Sequence, residues 1–248
     1  MVQDVEFTVL ARTRRTPVIV EVALRPVSEP LPYVAGQYAL LGDRDYTIPV
    51  RSYSIANAPC ASNRISLLVT RVPDGKTSKW VHDSLAVGDT VLVSGPYGTF
   101  VADPAGDRPV LCLAGGSGLA PVRALAEEAV SRRSPEDFTL LFSGRTRLDV
   151  MDAETFVGWQ ERHPGFRFRR TLTRGPGVPP LGRMPKLLPT LFTDLSGHDI
   201  FIAGGPGFVS ACAHACRLLG AAPGHLHTEE FFADPRPWNS TVVAEAVS

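Results

Sequence analysis

A change in the pattern of apolar residues near residue 104 limits the folds that this chain can adopt. Before that point, short segments rich in β-branched and aromatic residues are separated by proline and glycine, which is typical of small antiparallel barrels. We predict strands over residues 6–11, 18–24, 37–41, 51–55, 65–71 and 90–93, and one helix over 78–85. The first half is therefore predicted to be a six-stranded antiparallel β-barrel.

After residue 109, short apolar runs alternate with segments of helical periodicity. The apolar runs cover residues 110–114, 138–143, 166–172 and 199–203, and the helical segments cover 119–131, 152–161, 182–188 and 207–219. Such alternation is typical of a parallel sheet with helices on its faces. We therefore predict that the second half is an α/β domain built on a parallel sheet.

A polar, turn-rich segment over residues 101–109 separates the two patterns and is the best candidate for a linker. We expect two domains, with residues 1–103 forming the barrel and residues 104–232 forming the α/β domain. Residues 233–248 contain two prolines and no clear periodicity, so we expect a C-terminal tail there.

The charge balance of the chain gives no reason to expect a nucleic acid or an anionic membrane as a partner. The 248 residues include 25 basic and 25 acidic side chains, so the formal charges cancel. No apolar run reaches the roughly 20 residues that span a bilayer. The amino terminus lacks a basic segment followed by an apolar one, so no signal peptide is evident and we expect a cytoplasmic protein.

The four cysteines do not have the spacing of a paired metal motif or of a plant-type iron–sulfur cluster. Cys212 and Cys216 are one helical turn apart with His214 between them, which leaves a metal site open as the minor alternative to two thiols packed on a helix. We expect no metal and no cluster on this chain. The remaining histidines have no partner pattern and are expected at the surface: His82, His163, His198 and His225.

The segment Arg51-Ser52-Tyr53-Ser54 places a cation, an aromatic ring and hydroxyl groups on one predicted strand. Alternate residues of a strand share a face, so Arg51 and Tyr53 point one way and Ser54 points the other. A flavin requires an aromatic or apolar surface for its ring, a hydrogen-bond partner for N5, and positive charge or N–H groups for its phosphates. The segment can supply these groups, although on its own it is more typical of an ordinary strand with an exposed arginine and a half-buried tyrosine.

A polar turn, Gly75-Lys76-Thr77-Ser78, follows the next predicted strand. Gly75 ends that strand, and Thr77 or Ser78 is predicted to cap the helix that follows. A helix N-terminus attracts phosphate, and Lys76 adds positive charge. The turn therefore favours a phosphate site, with an ordinary capped helix as the alternative.

Residues 115–121 form a glycine-rich turn between a predicted strand and a predicted helix. Its glycines, Gly115, Gly116 and Gly118, let the backbone approach a pyrophosphate, and the helix dipole favours the negative charge. Pro121 stands where the third glycine of the dinucleotide fingerprint would be, and proline is compatible with the first helical turn. A similar turn, Gly204-Gly205-Pro206, follows the strand predicted at 199–203.

These motifs together resemble the ferredoxin–NADP reductase superfamily. The segments 51–54, 75–78, 95–98 and 115–121 occur in that family's order and spacing, and the resemblance covers about residues 5–232. It is strongest to the reductase components of bacterial oxygenases. The resemblance implies a flavin-binding barrel followed by a nucleotide-binding α/β domain.

The resemblance also implies roles for the residues of the first half. Arg51 would pair with the flavin phosphate, Tyr53 would pack on the isoalloxazine ring, and Ser54 would hydrogen-bond near N5. Ser52 belongs to the same cofactor-binding strand. The turn would hold the pyrophosphate, which implies FAD as the cofactor, through Gly75, Lys76, Thr77 and Ser78.

For the second half, the resemblance implies that Gly115, Gly116, Gly118 and Pro121 bind NAD(P), with Ser117 near the nicotinamide. Gly204, Gly205 and Pro206 would supply a second contact. The family usually has a cysteine, which helps to place the nicotinamide, where this chain has Ala203. Arg145 and Arg174 each follow a sheet strand and would approach the adenine ribose. The relatives that this chain resembles favour NADH, with NADPH as the other possibility.

Glu229 and Phe231 match a C-terminal Glu-x-Phe pattern of the same family. Phe231 would cover the flavin face opposite Tyr53 until the nicotinamide displaces it, and Glu229 would lie near N5 through Ser54 or a water molecule. The assignment between Phe231 and Phe232 is left open. The expected catalytic residues are Ser54, Glu229 and Phe231.

The sequence thus predicts an FAD-dependent NAD(P)H oxidoreductase that accepts a hydride at flavin N5. Its expected partner is a ferredoxin or an oxygenase component, either separate or joined after Ser248. One alternative is a flavin reductase or diaphorase that acts on small acceptors. Another is a non-catalytic flavoprotein subunit of a larger complex, which Ala203 keeps open.

Overall fold

The computed structural model describes residues 3–103, 106–131, 137–174 and 182–232. Within them the chain forms one sheet of six strands and a second sheet of five. All pairings in the first sheet are antiparallel and all pairings in the second are parallel, so the predicted fold class is confirmed. The predicted tail at 233–248 and part of the predicted linker lie outside the described residues.

The first sheet closes into a barrel. Its elements are β1 (Gln3–Arg14), β2 (Ile19–Pro26), β3 (Tyr38–Asp43), β4 (Arg51–Ser54), β5 (Ile65–Thr70), α1 (Lys76–Asp83) and β6 (Thr90–Tyr97). The strand order is β4-β3-β6-β1-β2-β5. An antiparallel bridge between Ile55 and Leu67 joins the two outer strands and completes the circuit.

Apolar side chains fill the interior of this barrel. On β2, Val20, Val22 and Leu24 are buried at every second position, as expected where one face of a strand points inward. They pack with Phe7 and Leu41, which are fully buried. A small barrel filled in this way has no room for a flat cofactor, so a binding site must lie on its outer surface.

The second sheet alternates strands with helices. Its elements are β7 (Val110–Gly115), α2 (Leu119–Ser131), β8 (Phe138–Gly144), α3 (Ala153–Arg162), β9 (Phe166–Leu172), α4 (Met184–Leu191), β10 (Asp199–Gly204), α5 (Pro206–Leu218) and β11 (Leu226–Glu230). The order is β11-β10-β7-β8-β9. Helices α2 and α3 pack on one face, and α4 and α5 pack on the other.

Strand β11 is one element that the apolar pattern did not predict. It extends the parallel sheet by pairing with β10, from Ile200 opposite Leu226 to Gly204 opposite Glu230. Its sequence, Leu-His-Thr-Glu-Glu, is mostly polar because an edge strand is buried less than a central one. The apolar-run criterion therefore fails at this edge, although the strand carries Glu229.

Two histidines also differ from expectation. His82 is buried, and its Nε2 lies 2.9 Å from the carbonyl oxygen of Val69. His225 is paired with Asp199 at 2.6 Å. The prediction of unpartnered surface histidines is wrong at these positions, since contacts to a distant backbone or carboxylate leave no local sequence pattern.

One apolar cluster joins the barrel to the parallel sheet. Ala35, Ala56 and Phe100 from the barrel side belong to the same buried cluster as Leu119 and Phe201. The rings of Phe100 and Phe201 meet edge to face, with their centroids 5.2 Å apart. No helix among the described residues combines the length and the apolar character needed to cross a bilayer.

We expect the parallel sheet to lose stability when its core is truncated. Leu113 on β7 is fully buried, whereas Leu218 at the end of α5 is 75% exposed. Leu113→Ala should lower the free energy of unfolding by about 2–5 kcal/mol, because it removes buried contacts and leaves a cavity. Leu218→Ala should change it by about 0.5 kcal/mol or less. Urea titration measures both, and equal losses would contradict this account of the core.

Candidate functional site

The strand order creates a crevice at the carboxyl ends of β7 and β10. The chain builds the sheet outward from β7 to β9 on one side and then returns to place β10 on the other. At such a reversal the loops that follow the two central strands separate, and ligands bind between them. The two glycine turns predicted from the sequence, at 115–118 and 204–206, are these loops.

The two turns pack so closely that side chains would not fit between them. A Cβ on Gly118 would lie 2.1 Å from the carbonyl oxygen of Ala203. Gly204 has a φ of 155°, and a Cβ there would lie 2.9 Å from the Phe208 ring. By contrast, a Cβ on Gly116 or Gly205 would meet no atom within 4 Å. The backbone of both turns therefore faces open space, as a phosphate cradle requires.

Ser54 and Glu229 join the barrel to the parallel sheet beside this crevice. The Ser54 hydroxyl donates a hydrogen bond to Glu229 Oε1 at 2.5 Å, although the residues are 175 positions apart. Burial raises the pKa of Glu229 to about 7, and the hydrogen bond from Ser54 offsets part of that rise. Glu229 Oε2 is buried and has no hydrogen-bond partner within the described part of the chain. Because the pKa of this carboxyl is near 7, the unpartnered oxygen can offer a ligand either a lone pair or a proton.

The four residues of strand β4 differ in burial. Ser54 is buried, Ser52 is exposed, and Arg51 and Tyr53 are half-buried. The Tyr53 side chain packs against the barrel core, which commits part of its surface and leaves part accessible. Arg51 donates to the carbonyl oxygen of Val50 at 2.8 Å.

The turn at residues 75–78 differs from the prediction in its capping. Helix α1 is capped by Gly75 without a side-chain hydrogen bond, so the prediction that Thr77 or Ser78 caps it is wrong. Thr77 donates to the carbonyl oxygen of Pro49, and Ser78 accepts from Val72 N at 3.1 Å. Because these hydroxyl groups are engaged, the backbone N–H groups of the first turn are the donors left to face a ligand. The contact of Thr77 with Pro49 brings this turn close to the strand of Arg51.

Thr70, which sequence reasoning missed, holds the glycine turn of β7 against the barrel. Its hydroxyl donates to the Ser117 hydroxyl at 2.9 Å. Thr70 ends β5, and Ser117 lies in the turn between β7 and α2. The contact is one of the points at which the two predicted half-sites touch.

Tyr38 is a second residue that the sequence did not single out. It lies directly opposite Ser54 in the pairing of β3 with β4, so their side chains share a face. Its ring stacks on Tyr97 at a centroid distance of 5.5 Å. Burial raises the pKa of Tyr38, and the nearby Tyr97 and Glu229 raise it further.

The remaining predicted residues take up positions around the crevice. Arg145 and Arg174 follow β8 and β9, are exposed, and are adjacent, since Arg174 N donates to the Arg145 carbonyl oxygen at 2.7 Å. Phe231 is half-buried, and its N donates to the Gly204 carbonyl oxygen at 2.8 Å. Ala203, at the position where a cysteine was expected, is fully buried.

The predicted metal alternative at α5 gains no support. Cys112, Cys212 and Cys216 are all buried free thiols. Burial raises the pKa of the Cys216 thiol to about 12, which opposes the thiolate form that binds metals. Among the described residues, no group of three or more histidine, cysteine or acidic side chains could hold a metal ion.

The polar groups of the crevice and of the adjoining barrel surface fit a flavin and a dinucleotide. It combines an unpartnered buried carboxylate oxygen at Glu229, open backbone at two glycine turns, and the amino end of α1 near Arg51. These groups match a ring nitrogen, a dinucleotide pyrophosphate and a flavin phosphate, respectively.

Comparison with known proteins gives an independent view of both halves. The family described as an oxidoreductase FAD-binding domain matches residues 14–101, and the family described as an oxidoreductase NAD-binding domain matches residues 112–214. The matched segments contain both glycine turns and the whole of β4.

Two curated relatives are informative. The chain is 32% identical over 213 residues to reductase component 1 of terephthalate 1,2-dioxygenase from Comamonas sp., a match covering 85% of this chain and 62% of that protein's length. It is 31% identical over 191 residues to ferredoxin–NADP reductase B of Sorangium cellulosum, covering 73% of this chain and 78% of the relative.

Solved structures agree in fold. A cytochrome P450 reductase from Amycolatopsis superposes with a TM-score of 0.84 at 31% identity, covering 94% of this chain and 71% of that one. A ferredoxin NADP⁺ reductase from Neisseria gonorrhoeae, solved with FAD and NADP bound, gives 0.79 at 23% identity, covering 92% of this chain and 99% of that one. The second likeness concerns the fold alone.

The buried Glu229 carboxyl predicts a pH dependence of stability. The pKa of Glu229 is about 7 in the folded protein, against 4.5 for an ordinary glutamate. At a pH between these two values, the folded state keeps a proton that the unfolded state has lost. This contribution is complete below pH 4.5 and disappears as the pH rises through 7. Glu229→Gln cannot titrate and should not lose this stability. Its free energy of unfolding, relative to that of wild type, should therefore rise by roughly 3 kcal/mol as the pH is raised through the interval.

Urea unfolding of the cofactor-free protein on both sides of that interval measures the difference. Glu230→Gln is the matched control, since Glu230 is the exposed neighbour on the same strand. It should track the wild type at every pH. Identical pH profiles for Glu229→Gln and wild type would show that Glu229 is not held in this environment.

Proposed function

Because the chain belongs to the ferredoxin reductase family of FAD- and NAD-binding oxidoreductases, which includes reductase components of bacterial oxygenases, we propose that it oxidises NADH or NADPH through FAD and passes the electrons to a protein acceptor. The family assignment rests on both matching domains and on the Sorangium relative. The chain spans about 62% of the length of the oxygenase reductases it matches.

The hydrogen bond between Ser54 and Glu229 is the observation that carries this proposal. It brings the hydroxyl of the flavin strand to the edge strand beside the two glycine turns. A ring bound against Ser54 and a nicotinamide held by residues 115–118 would therefore share one crevice. Hydride transfer depends mainly on holding two reactants close together in the correct orientation, which this arrangement favours.

The barrel residues would bind and orient FAD. With FAD bound, the protonated Glu229 carboxyl would donate to Ser54 Oγ, so that the Ser54 hydroxyl is free to donate near N5. Tyr53 would contact the ring with its accessible surface, and Arg51 would pair with a phosphate. Ser52 lies on the same strand. Backbone N–H groups in the first turn of α1 would hold the pyrophosphate, and the residues concerned are Gly75, Lys76, Thr77 and Ser78.

The sheet residues would bind the dinucleotide and control a proton. When bound, FAD supplies a ring that accepts a hydride and releases electrons one at a time. Glu229, with its pKa near 7, would hold a proton at neutral pH and exchange it through the Ser54 hydroxyl. Phe231 would cover the ring until the nicotinamide arrives. The dinucleotide would lie on Gly115, Gly116, Ser117, Gly118, Pro121, Gly204, Gly205 and Pro206.

The acceptor and the setting are also part of the proposal. The relatives include reductase components of dioxygenase systems, which supports a ferredoxin or an oxygenase component as the partner. Four unpaired cysteines are consistent with a reducing compartment, so we place the protein in the cytoplasm. We also retain a division into residues 1–103 and 104–232, with a tail at 233–248.

An anaerobic reduction experiment tests the proposed activity. The protein is loaded with FAD, and excess cofactor is removed by gel filtration. Its flavin absorbance at about 450 nm should then disappear when NADH is added. Ser54→Ala should retain FAD and lower the limiting rate about 10- to 100-fold, since a hydrogen bond near N5 is removed. Ser62→Ala, at an exposed loop position of the barrel, is the matched control and should react as wild type does.

Each failure of this experiment has a distinct meaning. Loss of FAD during gel filtration would favour a flavin reductase acting on small acceptors. Retained FAD that neither NADH nor NADPH bleaches would favour a non-catalytic flavoprotein subunit. Either result contradicts the proposed function.

The adjacent arginines after β8 and β9 predict how the coenzymes are distinguished. We propose NADH as the preferred donor, with Arg145 and Arg174 available to a 2′-phosphate. Arg145→Ala combined with Arg174→Ala should raise the half-saturating concentration of NADPH about tenfold and that of NADH about threefold at most, because only NADPH carries this phosphate. Arg25→Ala with Arg44→Ala, two exposed barrel arginines, is the control. Equal increases for both coenzymes would contradict the assignment.

A further inference from the structure

A buried arginine on helix α2 connects the two halves of the chain. Arg123 lies one turn into α2, close to the glycine turn that precedes this helix. Its guanidinium donates to the carbonyl oxygen of Ala56 at 2.5 Å, to Glu21 Oε1 at 2.6 Å and to Asp152 Oδ2 at 3.0 Å. Only 11% of the side chain is exposed. One side chain thus joins β2, the segment after β4, α2 and the start of α3.

Arg15 completes a closed set of charges. It pairs with Glu21 Oε2 at 2.7 Å and with Asp152 Oδ1. Each carboxylate therefore accepts one arginine on each oxygen, and the formal charges of the four side chains cancel. We call Arg15, Glu21, Arg123 and Asp152 the charge ring.

The two arginines of the charge ring hold the Glu21 carboxyl in its charged form. Burial alone would raise the pKa of Glu21, but the hydrogen bond from Arg123 and the charges of Arg123 and Arg15 outweigh it, so the pKa is lowered. Asp152 has a φ of 55°, a conformation that residues other than glycine rarely adopt. Its contacts with both arginines fix the carboxylate in place despite that strain.

Helix α2 makes a second contact with the same segment of the barrel side. Glu127, one turn after Arg123, accepts a hydrogen bond from Ala58 N at 2.9 Å. Arg123 binds the carbonyl oxygen of Ala56, so the helix holds two backbone groups of the short segment that leaves Ser54. The helix that begins at the proposed dinucleotide turn is thereby bound to the chain that leaves the proposed flavin strand.

Adhesion between the halves does not require these charges. The apolar cluster that contains Ala56, Phe100 and Leu119 already spans the seam. A buried ion pair is often no more stabilising than well-packed apolar residues of similar size, because desolvation offsets the attraction. Its directional contacts, however, fix orientation in a way that apolar packing does not.

We propose that Arg123 is a positioning residue for hydride transfer, and that the charge ring fixes the separation between the Ser54 strand and the 115–118 turn. This inference rests on the proposed function. It requires that loosening the ring changes the reaction rate without removing either half-site, since a misplacement of about 1 Å can cost about 100-fold in rate.

The test uses a charge-balanced variant of the FAD-loaded protein. Arg123→Met with Glu21→Gln removes one positive and one negative charge and leaves the pair of Arg15 with Asp152. The limiting rate of anaerobic flavin reduction should fall about 10- to 100-fold, with FAD content unchanged and the half-saturating concentration of NADH within about threefold of wild type. Arg44→Met with Glu6→Gln removes an exposed pair of the same residue types and should have no effect.

Hydrogen exchange of the cofactor-free protein provides a readout that does not depend on activity. In the ring variant, amides of residues 54–58 and 115–119 should exchange about threefold faster or more, while β1 and β8 exchange as in wild type. Faster exchange throughout both sheets would assign the ring to general stability and overturn the proposal.

Other outcomes are equally decisive. An unchanged limiting rate, or a fall no greater than the loss of FAD, would overturn the positioning role. If the double variant does not retain FAD, Arg123→Lys, which keeps the charge and loses the planar fork, is judged by the same criteria. A wild-type protein that NADH does not reduce would instead refute the proposed function, and the inference with it.

Discussion

The close approach of helix α2 to strand β10 is the constraint on which the rest of the structure depends. Gly118, just before α2, lies so near the Ala203 carbonyl oxygen that even a methyl group would collide with the backbone. This packing sets the position of α2 on the sheet. From there the helix contacts the barrel through Arg123 and Glu127, and its first turn opens onto the crevice.

Two half-sites that are far apart in sequence meet at this crevice. The barrel contributes Ser54 and the sheet contributes Glu229, and the hydrogen bond between them crosses the seam. Thr70 and Ser117 form a second link of the same kind. The barrel interior is filled and the sheet is covered on both faces, whereas the seam offers polar groups and open backbone.

Much of this arrangement could be predicted from the sequence, for identifiable reasons. The apolar runs predicted four of the five parallel strands. Three of these, β7, β8 and β10, are central strands, which are buried on both faces and show as continuous apolar segments. The glycine turns were visible because their backbone geometry requires glycine. The polar edge strand β11 was missed as an extension of the sheet, although the pattern Glu229-x-Phe231 marked its chemistry.

The contacts across the seam could not be predicted in the same way. Arg123 and Glu21 are 102 positions apart, and Arg15 and Asp152 are 137 apart, so no local pattern links them. The prediction of the residue that caps α1 was wrong for a related reason. The Thr77 hydroxyl donates instead to the carbonyl oxygen of Pro49, which lies on another loop. The spacing of residues in the sequence indicates which polar groups could bind a ligand. Tertiary contacts decide which of those groups remain free to do so.

A crystal structure of the protein with FAD and NAD⁺ bound would test the central claim most directly. The account predicts that flavin N5 lies within hydrogen-bond distance, about 3 Å, of Ser54 Oγ, and that the NAD⁺ pyrophosphate lies on the backbone of residues 115–118. An isoalloxazine ring bound away from Ser54, or a dinucleotide bound outside the crevice between β7 and β10, would contradict it.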